Sequence, residues 1–120
     1  MKLKAFVLLF CAFFTCSLHA EKSFLTDNID IPLINGLKLN PMEQMDFDTP
    51  RGQVLVLEGV VKNKTGKDVL SFYDEVLPQM GWVKVETGSF VRQEDSLTIL
   101  VLKNKNPAKI RFDISLVGKN

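Results

Sequence analysis

Residues 65–82 read TGKDVLSFYDEVLPQMGW, and the period of this stretch decides the fold. At about 100° per residue, Val69, Tyr73, Val76 and Met80 fall on one stripe, flanked by Leu70, Phe72 and Leu77. Asp68, Ser71, Asp74, Glu75 and Gln79 take the other face. Thr65 followed three residues later by Asp68 resembles a capping box, with Asp in place of the usual Glu. Pro78 has no N–H to donate and biases Leu77 away from α geometry, so the regular helix should loosen near Leu77. Gly81 is placed to take the left-handed stop conformation. The expectation is one amphipathic helix that needs an apolar surface to lie on.

The flanking segments supply that surface. Trp82 to Glu86 reads as a strand, Thr87-Gly88 as a tight turn and Ser89 to Gln93 as its antiparallel return. Glu94-Asp95-Ser96 reads as the next turn. Leu97 to Leu102 is apolar on both faces, as an interior strand would be. After a polar loop at Lys103 to Ala108, Ile110, Phe112, Ile114 and Leu116 alternate with Arg111, Asp113 and Ser115 over a strand at Lys109 to Val117. Upstream, Met45 and Phe47 alternate with Asp46 and Asp48. Thr49-Pro50-Arg51-Gly52 supplies a turn, and Val54 to Val61 is a strand, so 45–48 should form a hairpin with 53–62. The fold expected is α+β and two-layered: one amphipathic helix packed on a mainly antiparallel sheet, in the order ββαβββ. Residues 45–120 would form this domain. Residues 21–44 read as an extended N-terminal arm, with a short strand near Leu37–Leu39 and a helical turn near Pro41 to Met45.

Residues 1–20 have a different character. Lys2 and Lys4 precede an uncharged apolar run from Ala5 to Phe14, and Ala20 offers a small residue before charged Glu21-Lys22. These are the three parts of a cleavable signal peptide, and the run is short for a membrane span. Phe10 before Cys11 and Thr15 before Cys16 speak against a lipidation site. A periplasmic or secreted location is therefore expected, with membrane contact only through the signal peptide before cleavage.

Cleavage would remove Cys11, Cys16 and His19, which are the only Cys and His residues of the chain. The remainder could hold no disulfide, thiolate nucleophile, ordinary zinc site or histidine base. Removing Lys2 and Lys4 leaves 13 basic residues against 14 acidic ones, a net charge of −1. Such a balance carries no global footprint for nucleic acid. No cofactor is expected.

Phe72-Tyr73 … Leu77-Pro78 … Gly81-Trp82 fits F-Y-x3-L-P-x2-G-W. It resembles a motif at the helix-to-strand junction of small uncharacterised secreted or periplasmic proteins of proteobacteria. Asp30-Ile31-Pro32-Leu33 and Phe47 to Gly52 are similar to those proteins as well. The resemblance implies a fold and a compartment and carries no catalytic residues.

Three sets of residues are candidates for function. Tyr73 and Trp82 either close the core at the helix end or line a shallow pocket there with their polar tips. Lys62, Lys64 and Lys67 precede the helix, and Lys103, Lys105 and Lys109 surround the last hairpin. If the two loops share one end of the sheet, the lysines form a basic patch; otherwise they only solvate polar turns. Asp27, Asp30, Glu43, Asp46 and Asp48 make the N-terminal region acidic, but Asp27 to Asp30 lacks the glycine and terminal Glu of a calcium loop. No catalytic constellation stands out among the serines or acids. The expected function is non-enzymatic binding of another envelope component, protein or glycan. The alternatives are a carboxylate-dependent hydrolase of envelope glycans, which needs two acids about 5–10 Å apart in a cleft, and a small-ligand carrier with a cavity between helix and sheet.

Overall fold

The structure is a computed structural model that describes residues 24–26 and 29–117; the signal peptide expected at 1–20 lies outside them. The helix, α1, spans Gly66–Val76. Thr65 Oγ1 accepts the Asp68 N–H at 3.2 Å and Asp68 Oδ2 accepts the Thr65 N–H at 2.9 Å, so the capping box is complete. A 3-10 turn, Leu77–Met80, follows where Pro78 interrupts the α pattern. Gly81 has φ 92°, and the Trp82 N–H returns 3.1 Å to the Leu77 carbonyl, which closes the helix end. The buried stripe is Val69, Tyr73 and Leu77, each four residues from the last. Val76 and Met80, expected on that stripe, are half-buried beside it.

Among the described residues, nine strands flank this helix along the chain. Five precede it: β1 (Phe24–Thr26), β2 (Ile29–Pro32), β3 (Leu37–Leu39), β4 (Met45–Thr49) and β5 (Gly52–Val61). Four follow it: β6 (Val83–Glu86), β7 (Ser89–Arg92), β8 (Asp95–Lys103) and β9 (Ala108–Val117). The order ββαβββ is therefore corrected. β1 and β2 were not expected, because three- and four-residue strands carry too few alternations to show a period; β3 was expected near Leu37–Leu39 and four strands were read after the helix, but the order counted neither β3 nor the fourth of these. The class stands: one helix packs on a sheet whose pairings are all antiparallel. The main sheet runs β3-β5-β9-β8-β7-β6, and β4 pairs with β5 on the edge that β3 also uses. β1 and β2 form a separate two-stranded sheet. The turn expected at 94–96 sits one residue earlier, and β8 begins at Asp95.

The register defines two unlike faces. Leu55, Leu57 and Val61 of β5 lie opposite Ile114, Phe112 and Ala108 of β9. Leu97 and Ile99 of β8 lie opposite Ile114 and Phe112 from the other side. These residues are buried with Val69, Tyr73 and Leu77 of α1 in one core. Tyr73 anchors the packing through edge-on ring contacts with Phe72 (4.9 Å between centroids) and Phe112 (5.7 Å). Leu25, Ile29, Ile31 and Ile34 are buried in the same core, so the segment expected as an arm contributes a hairpin to it. The opposite face carries Val54, Val56, Glu58 and Val60 of β5, Leu100 of β8, and Arg111 and Asp113 of β9. Among the described residues no layer covers it, and Val60, Leu100 and Leu102 are exposed.

Candidate functional site

The end of α1 was the first place to expect a pocket. Tyr73 is 0% exposed and Trp82 is 1% exposed, so neither lines a surface; both belong to the core. The Tyr73 hydroxyl donates to the Pro32 carbonyl at 2.8 Å, which ties α1 to β2. Burial pushes the Tyr73 phenol well above its ordinary value, against a smaller opposing effect of the Ile34 backbone. The guanidinium of Arg92 stands 4.5 Å from the centroid of the Trp82 ring. It also donates to the Met80 carbonyl (3.1 Å) and to both carboxylate oxygens of Asp30. Arg92 thus closes the helix end over Trp82. Sequence reasoning passed over it, since nothing local marks a pairing between positions 62 residues apart.

The lysine-bearing loops do share one end of the sheet. The Asn63 N–H donates to Asn106 Oδ1 (3.0 Å), the Lys67 N–H to Asn104 Oδ1 (3.2 Å), the Gly66 N–H to the Asn104 carbonyl (2.8 Å) and the Ala108 N–H to the Lys64 carbonyl (3.2 Å). These bonds lock the 62–67 loop to the 103–108 loop. The asparagines, read from sequence only as turn formers, are the fasteners. Lys62, Lys67, Lys103 and Lys105 are exposed and Lys64 is half-buried. Lys109 reaches Glu58 at 3.9 Å. The other five make no ion pair with the described residues. Asp68 is the nearby acid, and its carboxyl is held below the ordinary value first by the Thr65 hydrogen bonds and then by Lys64 and Lys67. The positive end of the α1 dipole faces the same loops and adds to the potential. Its first N–H groups are already bonded to Thr65 and Asn104, so a ligand here would meet ammonium groups and not backbone amides.

The clefts among the described residues are shallow. One of about 350 Å³ is lined by Thr26, Pro41, Gln44, Met45, Asp46, Leu55 and Leu57. Asp46, the one acid in it, accepts a hydrogen bond from Gln53 at 2.8 Å. A second, of about 280 Å³, holds Glu94 and Asp95 beside Gln93 and Val117. Asp95 is buried there and accepts the Val117 N–H at 3.1 Å, which makes it a fastener of β9. Among the described residues no three His, Cys, Asp or Glu side chains converge as a metal ion would need. Asp30, part of the expected acidic arm, faces Arg92. Asp27 lies outside the described residues. Among the described residues no helix is long and apolar enough to cross a membrane. In comparisons with known proteins, no family model, curated protein or solved structure matches the chain.

Proposed function

We propose that the chain is a non-enzymatic periplasmic or secreted domain that binds an acidic envelope component, protein or glycan, through its lysine end. The observation that carries this reading is the pair of lysine loops held together by Asn104 and Asn106. Lysines that only solvated turns would need no common platform. Here five lysines without an ion-pair partner among the described residues lie on two joined loops of a chain whose overall charge is close to zero. Such local excess steers an anionic partner and sets its orientation. The exposed apolar side chains of Val60, Leu100 and Leu102 on the open face support binding over catalysis. The hydrolase alternative would rest on Glu94 and Asp95, and the hydrogen bond from Val117 to Asp95 weakens it.

The test is photo-crosslinking in intact cells from position 105, with position 79 on the exposed side of the helix end as control. The reading requires crosslinks specific to position 105 that fade as salt rises. It is overturned by equal crosslinking from both positions, or by glycan hydrolysis that disappears in Glu94→Gln.

A further inference from the structure

The two free edges of the main sheet set exposed apolar side chains beside charged ones, Asp46 and Asp48 on β4 and Lys84 and Glu86 on β6. β4 lies at one edge and β6 at the other, and among the described residues no strand pairs with the outer side of either. On β4, Met45 and Phe47 are each 49% exposed and lie opposite Val56 and Val54, on the open face. Asp46 lies opposite the core residue Leu55, so it projects to the helix side. β6 repeats this with Lys84 in place of Asp46. Val83, 60% exposed, lies opposite Val91 on the open face. Lys84 lies opposite the core residue Phe90, hence on the helix side, where it meets Asp74 of α1 at 3.1 Å.

Strand direction matches as well. Along β4-β5-β9-β8-β7-β6 every neighbour is antiparallel, so β4 and β6 run in opposite senses. A second copy placed beside the first by translation brings its β6 antiparallel to β4, with both helices on one side of a continuous sheet. In the register that sets Asp46 against Lys84, Phe47 falls opposite Val83, and the bulge between Lys84 and Glu86 ends the regular ladder beyond that pair. We infer that the chain self-associates head to tail, β4 of one copy adding to β6 of the next, with Asp46 and Lys84 as the pair that selects the contact.

On the β4 edge the charges exclude a like partner: two β4 strands centred on Phe47 would set Asp46 against Asp48. Two β6 strands centred on Val85 would instead set Lys84 against Glu86, so a contact between two β6 edges is the competing arrangement, and it would be weakened by Lys84→Asp but not by Asp46→Lys. The cleft beside Asp46 leaves room on the helix side for an incoming lysine. Both edges are short, so the contact is weak and depends on concentration. It is heterologous, so it grows beyond a dimer unless the sheet twist closes it into a ring. These residues are distinct from the lysine end, and the inference stands apart from the function proposed above.

Sedimentation equilibrium of the purified protein tests it, run on the wild type, Asp46→Lys and Lys84→Asp. The wild type should associate with rising concentration. Each variant alone should associate about tenfold more weakly or worse, because positions 46 and 84 then carry the same sign. An equimolar mixture of the two variants should regain association, since each supplies the edge the other needs. Urea midpoints confirm that each variant is folded. Should Lys84→Asp unfold, Phe47→Lys on the open face must weaken association instead. The inference is overturned by a wild type that stays monomeric, by variants that associate as the wild type does, or by a mixture that does not recover.

Discussion

Arg92 and Asp30, 62 residues apart in the chain, meet through paired hydrogen bonds: Nη2 to Oδ1 at 2.8 Å and Nη1 to Oδ2 at 3.2 Å. The pair joins the N-terminal hairpin to the helix end at the point where Arg92 covers Trp82. Its side chains are 25% and 50% exposed, so water screens the charge attraction. Most of the contribution of Arg92 should come from the Met80 hydrogen bond and the contact with Trp82. Arg92→Ala is expected to cost about 2 kcal/mol, and Asp30→Ala distinctly less. A double-mutant cycle read by urea unfolding should give a coupling below about 1 kcal/mol. A larger coupling would mean that the pair is better shielded than its exposure indicates.

Tyr73 predicts a loss of stability on the alkaline side. Its phenol is buried, which raises its pKa above the ordinary value of 10.0 in the folded state. The unfolded chain therefore ionises first. Stability from this group is fully present below about pH 10 and falls as pH rises beyond it. Tyr73→Phe should remove that component of the alkaline slope. At neutral pH it should cost about 1 kcal/mol, since the Pro32 carbonyl loses its donor. Unfolding midpoints from pH 8 to 11 for both chains provide the check; identical alkaline slopes would contradict the assignment.

The capping box predicts the opposite trend in acid. The Asp68 carboxyl is held below its ordinary value, mainly by hydrogen bonds with Thr65, so its contribution is present at neutral pH. It is lost as pH falls through the lowered folded-state value. Asp68→Asn should flatten the acid limb of the stability profile, and Thr65→Ala should cost about 1 kcal/mol at neutral pH. Far-UV circular dichroism during acid titration would show whether loss of helix follows Asp68.

Gly66 sets two ordinary effects against each other. Alanine in a helix is more favourable than glycine by about 1 kcal/mol. However, a Cβ on Gly66 would collide with Val101 Cγ1 and come within 2.8 Å of Asn104 Oδ1. Val101 is β-branched and packs against the core, so it yields poorly. Overpacking of this kind costs about 1–3 kcal/mol. Gly66→Ala should therefore destabilise the chain despite the gain in helix propensity. It should also loosen the two lysine loops, because Asn104 holds the N–H groups of Gly66 and Lys67. Amide exchange of Lys67 and Ala108 reports that loosening directly.

What the sequence conveyed depended on the length of the local pattern. The helix, its Thr65 cap, its Pro78 break and the Gly81 stop were legible because each uses neighbours within four residues. The long strands β5, β8 and β9 were legible from composition and alternation. Strands β1 and β2 were not, since Pro32 and a three-residue span hide the period. Leu97 to Leu102, apolar on both faces, was expected as an interior strand, and β8 does lie between β9 and β7. Its outer side is nevertheless open, because strand position and face coverage are separate properties. The shared location of the lysine loops was conditional on which ends of the sheet they occupy, and only the register of β5 with β9 settles that.

Trp82 is the last and most demanding test of the helix end. It is 1% exposed, follows the Gly81 stop and lies under the Arg92 guanidinium. Trp82→Ala should destabilise the chain by about 3–5 kcal/mol, the scale of a large buried aromatic. Against a net stability of about 5–15 kcal/mol typical of single domains, that lowers the urea midpoint sharply. As the only tryptophan, Trp82 also reports its own surroundings by fluorescence. Its emission should lie well blue of free indole, and iodide or acrylamide should quench it poorly. Its Nε1 is buried and finds no acceptor among the described residues, so Trp82→Phe removes a polar group that gains nothing there. That variant should lose much less stability than Trp82→Ala, because the ring filling under Arg92 is largely kept. Equal losses for Phe and Ala would show that the indole N–H, and not the ring volume, matters at this site, and the helix end would then have to be reconsidered as a place where Trp82 meets a polar partner.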